Sequence, residues 1–511
     1  MRSNGIIQLA PLARILFAMA IGIWLGSKTE GTVTTGIWGG CGIIMCIAAY
    51  FIKGPKTVSS LILLISVALG GLTFSVDKQL STVSLPSDRL EYKSVICSKI
   101  SEKKKVVYCD IVITEANGKL LKEPFKVKAT FLKDTVRGFW KKLKPGTGIR
   151  HYSILKEPEN YSNVSHFNYR RWMKCHGYKA VSFIGKDKWT FCNACCDNLS
   201  ATERIRIKLL MKIDSFWHKN LLPLEKAGKE YKDGIAIIAA MTLGDKSMIS
   251  NKVKEDFSSA GASHILALSG LHLGIIYWIL TLFLGKRNKR NIIIQTVILL
   301  IIWTYVLMVG MPVSIIRAAT MLTIYSLMGM INRDRMSLNT LAFTAIIMLI
   351  ANPLSLWDTG FQLSFMATAS ILTVHKNIIF MITPRTTLGN WIWANISIAL
   401  SAQIGTAPLV AYYFGQIPCY FILVNLVVIP MASAIIFLSI IAWGVTTLSV
   451  SLNILFYGVS ELAQAMYAFI IWVNGLNGAT INNISINTWQ IVMYYQLYII
   501  VLFVINRKKF R

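Results

Sequence analysis

Ile292-Ile293-Ile294-Gln295-Thr296-Val297-Ile298-Leu299-Leu300-Ile301-Ile302-Trp303-Thr304-Tyr305-Val306-Leu307-Met308-Val309 runs without a single charged residue. As a helix rising about 1.5 Å per residue, such a run nearly matches a hydrocarbon core of about 30 Å. Similar runs recur on both sides. Three lie near the start, at about Leu9 to Gly26, Thr35 to Ile52 and Val58 to Phe74. Nine more begin near residues 262, 291, 312, 337, 354, 391, 418, 452 and 488. The reading is an α-helical polytopic membrane protein with about 12 transmembrane helices. Composition agrees, with 54% hydrophobic and 15% charged residues among 511 and a mean hydropathy of +0.53. The first run has no small-residue cleavage site and two further runs follow it, so it is expected to be a retained span rather than a secretory signal.

Lys and Arg near span ends stay on the cytoplasmic side. The short basic loops are Lys53 to Lys56, Lys286 to Arg290, Arg333 with Arg335, His375 with Lys376, and the tail Arg507 to Arg511. Twelve spans with cytoplasmic N- and C-termini place all of them inside. The long polar stretch from 77 to 230 then falls outside. It holds 31 Lys plus Arg and 16 Asp plus Glu, about half of the chain's +29 excess. Topology does not explain that half, so a polyanionic partner does. In this stretch Phe125, Val127, Ala129 and Phe131 alternate with Lys126, Lys128 and Thr130, which predicts a strand with one apolar and one cationic face. Val106 to Thr114 and Tyr178 to Ile184 read the same way, with an Asn117-Gly118 turn. A small extracytoplasmic β-barrel or sandwich is expected, followed by a basic amphipathic helix from Glu203 to Leu222 on the membrane surface. The expected units are 1–76 (helices), 77–200 (β-rich domain), 201–232 (linker helix), 233–506 (helical bundle) and 507–511 (tail).

Six of nine cysteines fall in the external stretch. Cys97 and Cys109 flank a hairpin tipped by Lys103, Lys104 and Lys105, and they are candidates for a disulfide in an oxidising compartment. A zinc site from Cys175, His176, Cys192, Cys195 and Cys196 is the rival, although their spacing is not a repeated Cys-x-x-Cys pair. No resident metal or cofactor is expected.

Ionisable groups inside spans mark a pathway or a site. They are densest from Asp233 to Ile276, which contains Asp245, Lys246, His264, Ser269, Gly270 and His272. A continuous helix would put His264 and His272 on one face; the glycines would instead allow close packing or a broken helix lining a cavity. Asp245 and Lys246 can also simply end a helix at the surface. Further along, Arg317 lies within one apolar span and Asp358 and Gln362 one turn apart in another; a pair between Arg317 and Asp358 would be a structural explanation for both charges. No glycine-rich phosphate loop, His-Glu-x-x-His or Gly-x-Ser-x-Gly motif occurs, and no enzyme activity is expected.

The segment Leu243-Gly244-Asp245-Lys246 followed by Ser263-His264-Ile265-Leu266-Ala267-Leu268-Ser269-Gly270-Leu271-His272-Leu273-Gly274 closely resembles the hallmark of the ComEC family of competence proteins. Pro312 to Ala318, Asn352-Pro353 through Gly360-Phe361-Gln362-Leu363-Ser364-Phe365, and Ala407-Pro408-Leu409 through Asn425 to Pro430 resemble its later elements in order. Phe167-Asn168-Tyr169-Arg170-Arg171-Trp172 to Gly177 is similar to the motif near the end of the family's OB-fold domain. The resemblance implies a channel in the bacterial inner membrane that carries one DNA strand inward during natural transformation, its external domain OB-fold-like. Lys103, Lys104, Lys105, Lys126, Lys128, Arg170 and Arg171 are then expected on the DNA backbone, with Tyr169, Trp172 and Phe167 stacking bases. The likeness is to a short form without the C-terminal metallo-β-lactamase-like domain of many members, so a separate nuclease would be needed. A DNA receptor outside, a translocase or strand-binding protein inside, and a homo-oligomer are the further partners implied. Two rival readings are a transporter or flippase of another anion and a membrane metalloenzyme built on His264, His272 and Asp245.

Overall fold

The computed structural model describes residues 11–29, 33–52, 54–81, 85–86, 88–103, 105–134, 138–160, 167–193, 198–220, 232–284, 291–330, 338–447 and 453–508. Lys104, Cys195, Cys196 and the expected basic loops at 285–290 and 331–337 lie outside these residues.

Three helices come first: α1 (Pro11–Lys28), α2 (Val33–Phe51) and α3 (Pro55–Ser81). α1 and α3 cross at glycines, where a β-carbon on Gly22 would collide with the Val67 carbonyl and one on Gly70 with the Met19 carbonyl. Small residues are what permit such an approach between apolar helices.

Eight strands follow: β1 (Leu90–Ile96), β2 (Ser101–Glu102), β3 (Val106–Ala116), β4 (Lys119–Leu132), β5 (Gly148–Ser153), β6 (Leu155–Lys156), β7 (Tyr178–Ile184) and β8 (Trp189–Cys192). They form one sheet in the order β6-β7-β4-β3-β1-β5-β8, with β2 on β3; only β4 and β7 pair in parallel. β5 and β7 are far apart in that order, yet Ser182 Oγ donates to Ser153 Oγ at 2.9 Å. The sheet is therefore rolled around its core. Period-2 alternation sends Phe125, Val127, Ala129 and Phe131 inward, where they are buried with Ile111, Ile149 and Ile184. Each of these side chains larger than alanine contributes about 1.5–3 kcal/mol by leaving water. α4 (Tyr169–Cys175), capped by Asn168 Oδ1 accepting from the Arg171 N–H at 2.8 Å, precedes β7. α5 (Ala201–Asn220) follows β8.

The second helical part contains α6 (Lys232–Leu243), α7 (Asn251–Ser259), α8 (Ser263–Leu266), α9 (Gly270–Leu284), α10 (Ile292–Val309), α11 (Val313–Met330), α12 (Leu338–Ala351), α13 (Thr359–Ile379), α14 (Thr387–Phe414), α15 (Phe421–Thr447), α16 (Asn453–Asn474) and α17 (Thr488–Lys508). Among the described residues, α1, α2, α3, α10, α14, α15, α16 and α17 are long and apolar enough to cross a membrane. α9, α11 and α12 are shorter apolar helices. This is a multi-pass membrane architecture with a separate β-rich domain. A 3-10 turn, Pro353–Trp357, links α12 to α13 and carries the docking surface for α4.

One buried group in the barrel makes a pH test. His151, 1% exposed, hydrogen-bonds Ser94 Oγ through Nε2 (2.9 Å) and Ser153 Oγ through Nδ1 (3.0 Å). Burial pushes its pKa down from 6.5 to about 4. Between those values the unfolded chain binds a proton that the folded chain refuses. Its stabilisation is complete above pH 6.5 and falls as pH drops towards 4, by about 3 kcal/mol. The expected result is a melting temperature of the β-domain that falls across this window, with a flatter profile in His151→Gln. A melt independent of pH there would contradict the assignment.

Candidate functional site

Where the barrel meets the bundle there is a chamber of about 1380 Å³. Its barrel wall is the polar face of β4 and its neighbours. Because Phe125, Val127 and Ala129 point inward, Lys126 and Lys128 must point out, and they do, into the chamber. Lys126 Nζ stands 4.0 Å above the Tyr178 ring and 3.4 Å from Asp110. Lys128 Nζ lies 5.4 Å from the Trp172 ring centroid and 5.8 Å from that of Tyr178. Enclosure lowers the pKa of Lys128, with Lys126 and Lys103 adding to the effect and Asp110 opposing it. Lys103 lines the same wall, 5.3 Å over Tyr108.

The aromatic rings form a stack. Trp172 lies near-parallel to Tyr169 (6.0 Å, 16°) and to Tyr178 (6.4 Å, 21°), with His176 against it at 4.3 Å. Tyr178 Oη donates to Asp110 Oδ2 at 2.7 Å, which fixes that ring. Among the described residues, eight Lys or Arg side chains face the chamber against three carboxylates. Such a surface attracts a polyanion and offers planar faces to flat groups.

The bundle wall includes the Gly244–Ser247 turn, Leu268, Trp303 and the start of α11. α6 ends where Gly244 takes a left-handed φ of 69°, its N–H on the Ala240 carbonyl and that of Asp245 on Ala239. This turn aims Asp245 at the barrel. Its Oδ2 is 2.9 Å from Lys99 Nζ, while Oδ1 accepts from Ser247 N–H (3.0 Å) and Oγ–H (2.6 Å). Burial opposes the charge, but Lys99 and Ser247 outweigh it and hold the carboxyl below its ordinary value. Asp245 is thus a clasp between the two parts. Lys246 projects into the chamber, where enclosure and Lys254 lower its pKa. Three further contacts tie α4 to the 3-10 turn: Cys175 Sγ–H donates to the Leu354 carbonyl (3.1 Å), Asn352 Nδ2 to the Cys175 carbonyl (2.9 Å), and the Arg171 guanidinium lies 5.0 Å over Trp357.

Several expectations need correction. Arg317 does not pair with Asp358: Asp358 Oδ1 caps α13 by accepting from Phe361 N–H at 2.9 Å, and its Oδ2 lies 3.9 Å from His176 Nε2. Arg170 faces away from the chamber and pairs with Glu157. Lys105 and Phe167 are also outside the chamber lining. The histidine segment is not one helix, because 267–269 break it between α8 and α9. His264 Nδ1 bonds the Gly261 carbonyl at 3.1 Å. His272 is buried and its Nδ1 takes the Ser269 backbone N–H (3.1 Å) and meets Ser269 Oγ (2.9 Å). Gln362 is engaged on both ends, Nε2 donating to Leu356 O and Oε1 accepting from Tyr413 Oη. Cys97 and Cys109 are free thiols whose side chains enter different clusters, Cys109 the barrel core and Cys97 the layer under α5, so no bond joins them. Among the described residues no three His, Cys, Asp or Glu side chains converge as a metal site.

Lys99, Tyr178, Arg206 and Lys254 also line the chamber and were not singled out from the sequence. Tyr178 had a usable signal, since a strand starting there can pair with β4; the register sets it opposite Lys126. Lys99 had none, because its partner is 146 residues away.

A rolled, basic β-domain clasped onto an apolar helical bundle around a cationic, aromatic chamber defines a multi-pass membrane protein with a positively charged space between its two parts. Residues 241–508 match the family profile described as Competence protein, and the chain belongs to this ComEC-type competence family. It is 27% identical over 343 residues to ComE operon protein 3 of Bacillus subtilis (strain 168), covering 65% of this chain and 40% of that one. It is 30% identical over 217 residues to an uncharacterized protein of Aquifex aeolicus (strain VF5), covering 42% and 48% respectively. The matched stretch spans less than half the length of each relative. No solved structure matches the chain.

Proposed function

We propose that this protein is a channel that admits one DNA strand across the bacterial inner membrane in natural transformation. The observation that carries the reading is the chamber, whose described lining holds eight cationic side chains together with the Tyr169–Trp172–Tyr178 stack, Lys126 and Lys128 lying over its rings. A volume of 1380 Å³ exceeds the roughly 300–1,000 Å³ of ordinary small-molecule pockets, which favours a polymer over a small anion. Phosphates meet Lys126 and Lys128, while bases stack on the rings.

In this reading α1–α3 and α9–α17 make twelve crossings, the termini are cytoplasmic, and the barrel is an OB-type domain on the outer side. The units 1–76, 77–200, 201–232, 233–506 and 507–511 divide the work between anchoring, reception, linkage and conduction. The protein performs no covalent chemistry itself. A DNA receptor outside, a translocase or strand-binding protein inside and a separate nuclease complete the path, with a homo-oligomer as the wider pore. Deleting the gene in a transformable host should abolish transformation while labelled DNA still accumulates outside the inner membrane. Normal transformation of the deletion strain would sink the proposal.

A further inference from the structure

The geometry points to an oxyanion site inside the bundle, formed by Arg317 and the N-terminus of α9, whose ligand is a phosphodiester group of the strand. It rests on the uptake reading above. Arg317 is 8% exposed, and its Nε and Nη1 have no hydrogen-bond partner. A guanidinium cannot shed its charge, so a buried one without a carboxylate requires a counter-anion. Among the described residues no carboxylate lies within ion-pair reach of it; the Phe365 ring, 5.7 Å away, supplies only a π face.

The guanidinium is aimed at a helix start. Because 267–269 break the histidine segment, α9 begins at Gly270 within the bundle, beside α11. The first N–H groups of a helix lack intrahelical partners and carry partial positive charge; here Ser269 Oγ already accepts from Leu271 N–H at 3.3 Å, so the Gly270 and His272 positions carry the rest of the helix-start field. Nη2 lies 3.6 Å from where a β-carbon on Gly270 would stand, so the glycine leaves room for about one oxygen atom between the helix start and the guanidinium. The chamber lining runs down α11 through Val313, Ser314, Ile316 and Thr320, residues that bracket Arg317. Arg317 and Gly270 themselves stand outside that lining, so the site lies directly behind this wall of the chamber.

The test uses the full chain in phosphatidylcholine nanodiscs, with fluorescent oligothymidylate titrated across salt. Arg317→Gln should weaken binding about tenfold, the worth of one charge-assisted contact, and lower the slope of log K against log salt by about 0.7. Arg317→Lys should keep the slope. Unchanged affinity and slope in a folded Arg317→Gln overturn the site. If that variant does not fold, Gly270→Ala decides, because its methyl would stand 3.5 Å from Ala318 Cβ and 3.6 Å from Nη2, ordinary contacts that need no backbone shift. It should weaken binding in the same direction, and wild-type affinity there also overturns the site.

Two further arms separate the sources of the anion. Adding phosphatidylglycerol overturns the strand assignment if it erases the difference between wild type and Arg317→Gln, and gives the site to a lipid headgroup. Wild type that binds no oligonucleotide refutes the uptake reading. In that case a melting temperature raised by inorganic phosphate in wild type but not in Arg317→Gln keeps the oxyanion site and overturns its assignment to the strand. Absence of that shift removes the site as well.

Discussion

Replacing Asp245 with alanine is expected to destabilise the docked β-domain by about 1–3 kcal/mol, because it removes a charge-assisted contact from the half-buried Lys99 and the acceptor that fixes the Ser247 turn. The side chains are 16% and 6% exposed for Lys99 and Asp245, and Nζ and Oδ2 are 2.9 Å apart. Screening by salt is weak at such burial, so the cost should persist at high ionic strength. Part of the loss belongs to the turn itself, since Ser247 N–H and Oγ–H both point at Oδ1. A double-mutant cycle with Lys99→Met separates the two: restoring a neutral, well-filled junction should recover much of the loss in Asp245→Ala. Thermal unfolding and limited proteolysis of the purified full chain provide the readout. Strict additivity of the two substitutions would mean that the pair does not hold the junction. The pH dependence has a definite sign. The folded carboxyl sits below its ordinary value, so its contribution is intact at neutral pH and is lost only as acid protonates it.

The helices were legible because their signal is local. An apolar run reports its own solvent, and helices stand where the runs at 291, 391, 418, 452 and 488 begin. The β4 face was legible for the same reason: alternation over Phe125 to Phe131 separates an inward from an outward side within one strand. Partnership between distant segments was not legible. Asp245 beside Lys246 reads as a helix terminus, and its partner Lys99 is set by how the barrel docks. Arg317 with Asp358 was a reasonable pairing by charge alone, but Asp358 precedes a helix start, where capping Phe361 N–H is worth about 1 kcal/mol and fixes its direction. The break at 267–269 was ambiguous because glycine and serine are tolerated both at helix crossings and at helix starts.

The second large effect is expected at the β4 lysines. Lys126→Gln combined with Lys128→Gln should lower single-strand affinity at low salt on the order of 100-fold, taking about 1.5 kcal/mol for each charge-assisted contact. The salt slope should fall by about 1.4, two phosphates at 0.7 each. Glutamine is the informative choice, since glutamate at 126 would face Asp110, now 3.4 Å from Nζ, and add repulsion unrelated to DNA. Asp110 keeps the Tyr178 hydroxyl as a donor, so the fold should survive. Trp172→Leu provides the contrast: it removes the centre of the Tyr169–Trp172–Tyr178 stack but no charge, and should cost about 1–3 kcal/mol per stacked base with the salt slope unchanged. Arg170→Gln serves as the control, because that guanidinium is already held by Glu157 outside the chamber. If Arg170→Gln weakens binding as much as the lysine pair, affinity follows total charge rather than the chamber wall. If only the lysines and Trp172 respond, and in these separable ways, the strand lies where β4 presents cations and α4 presents rings.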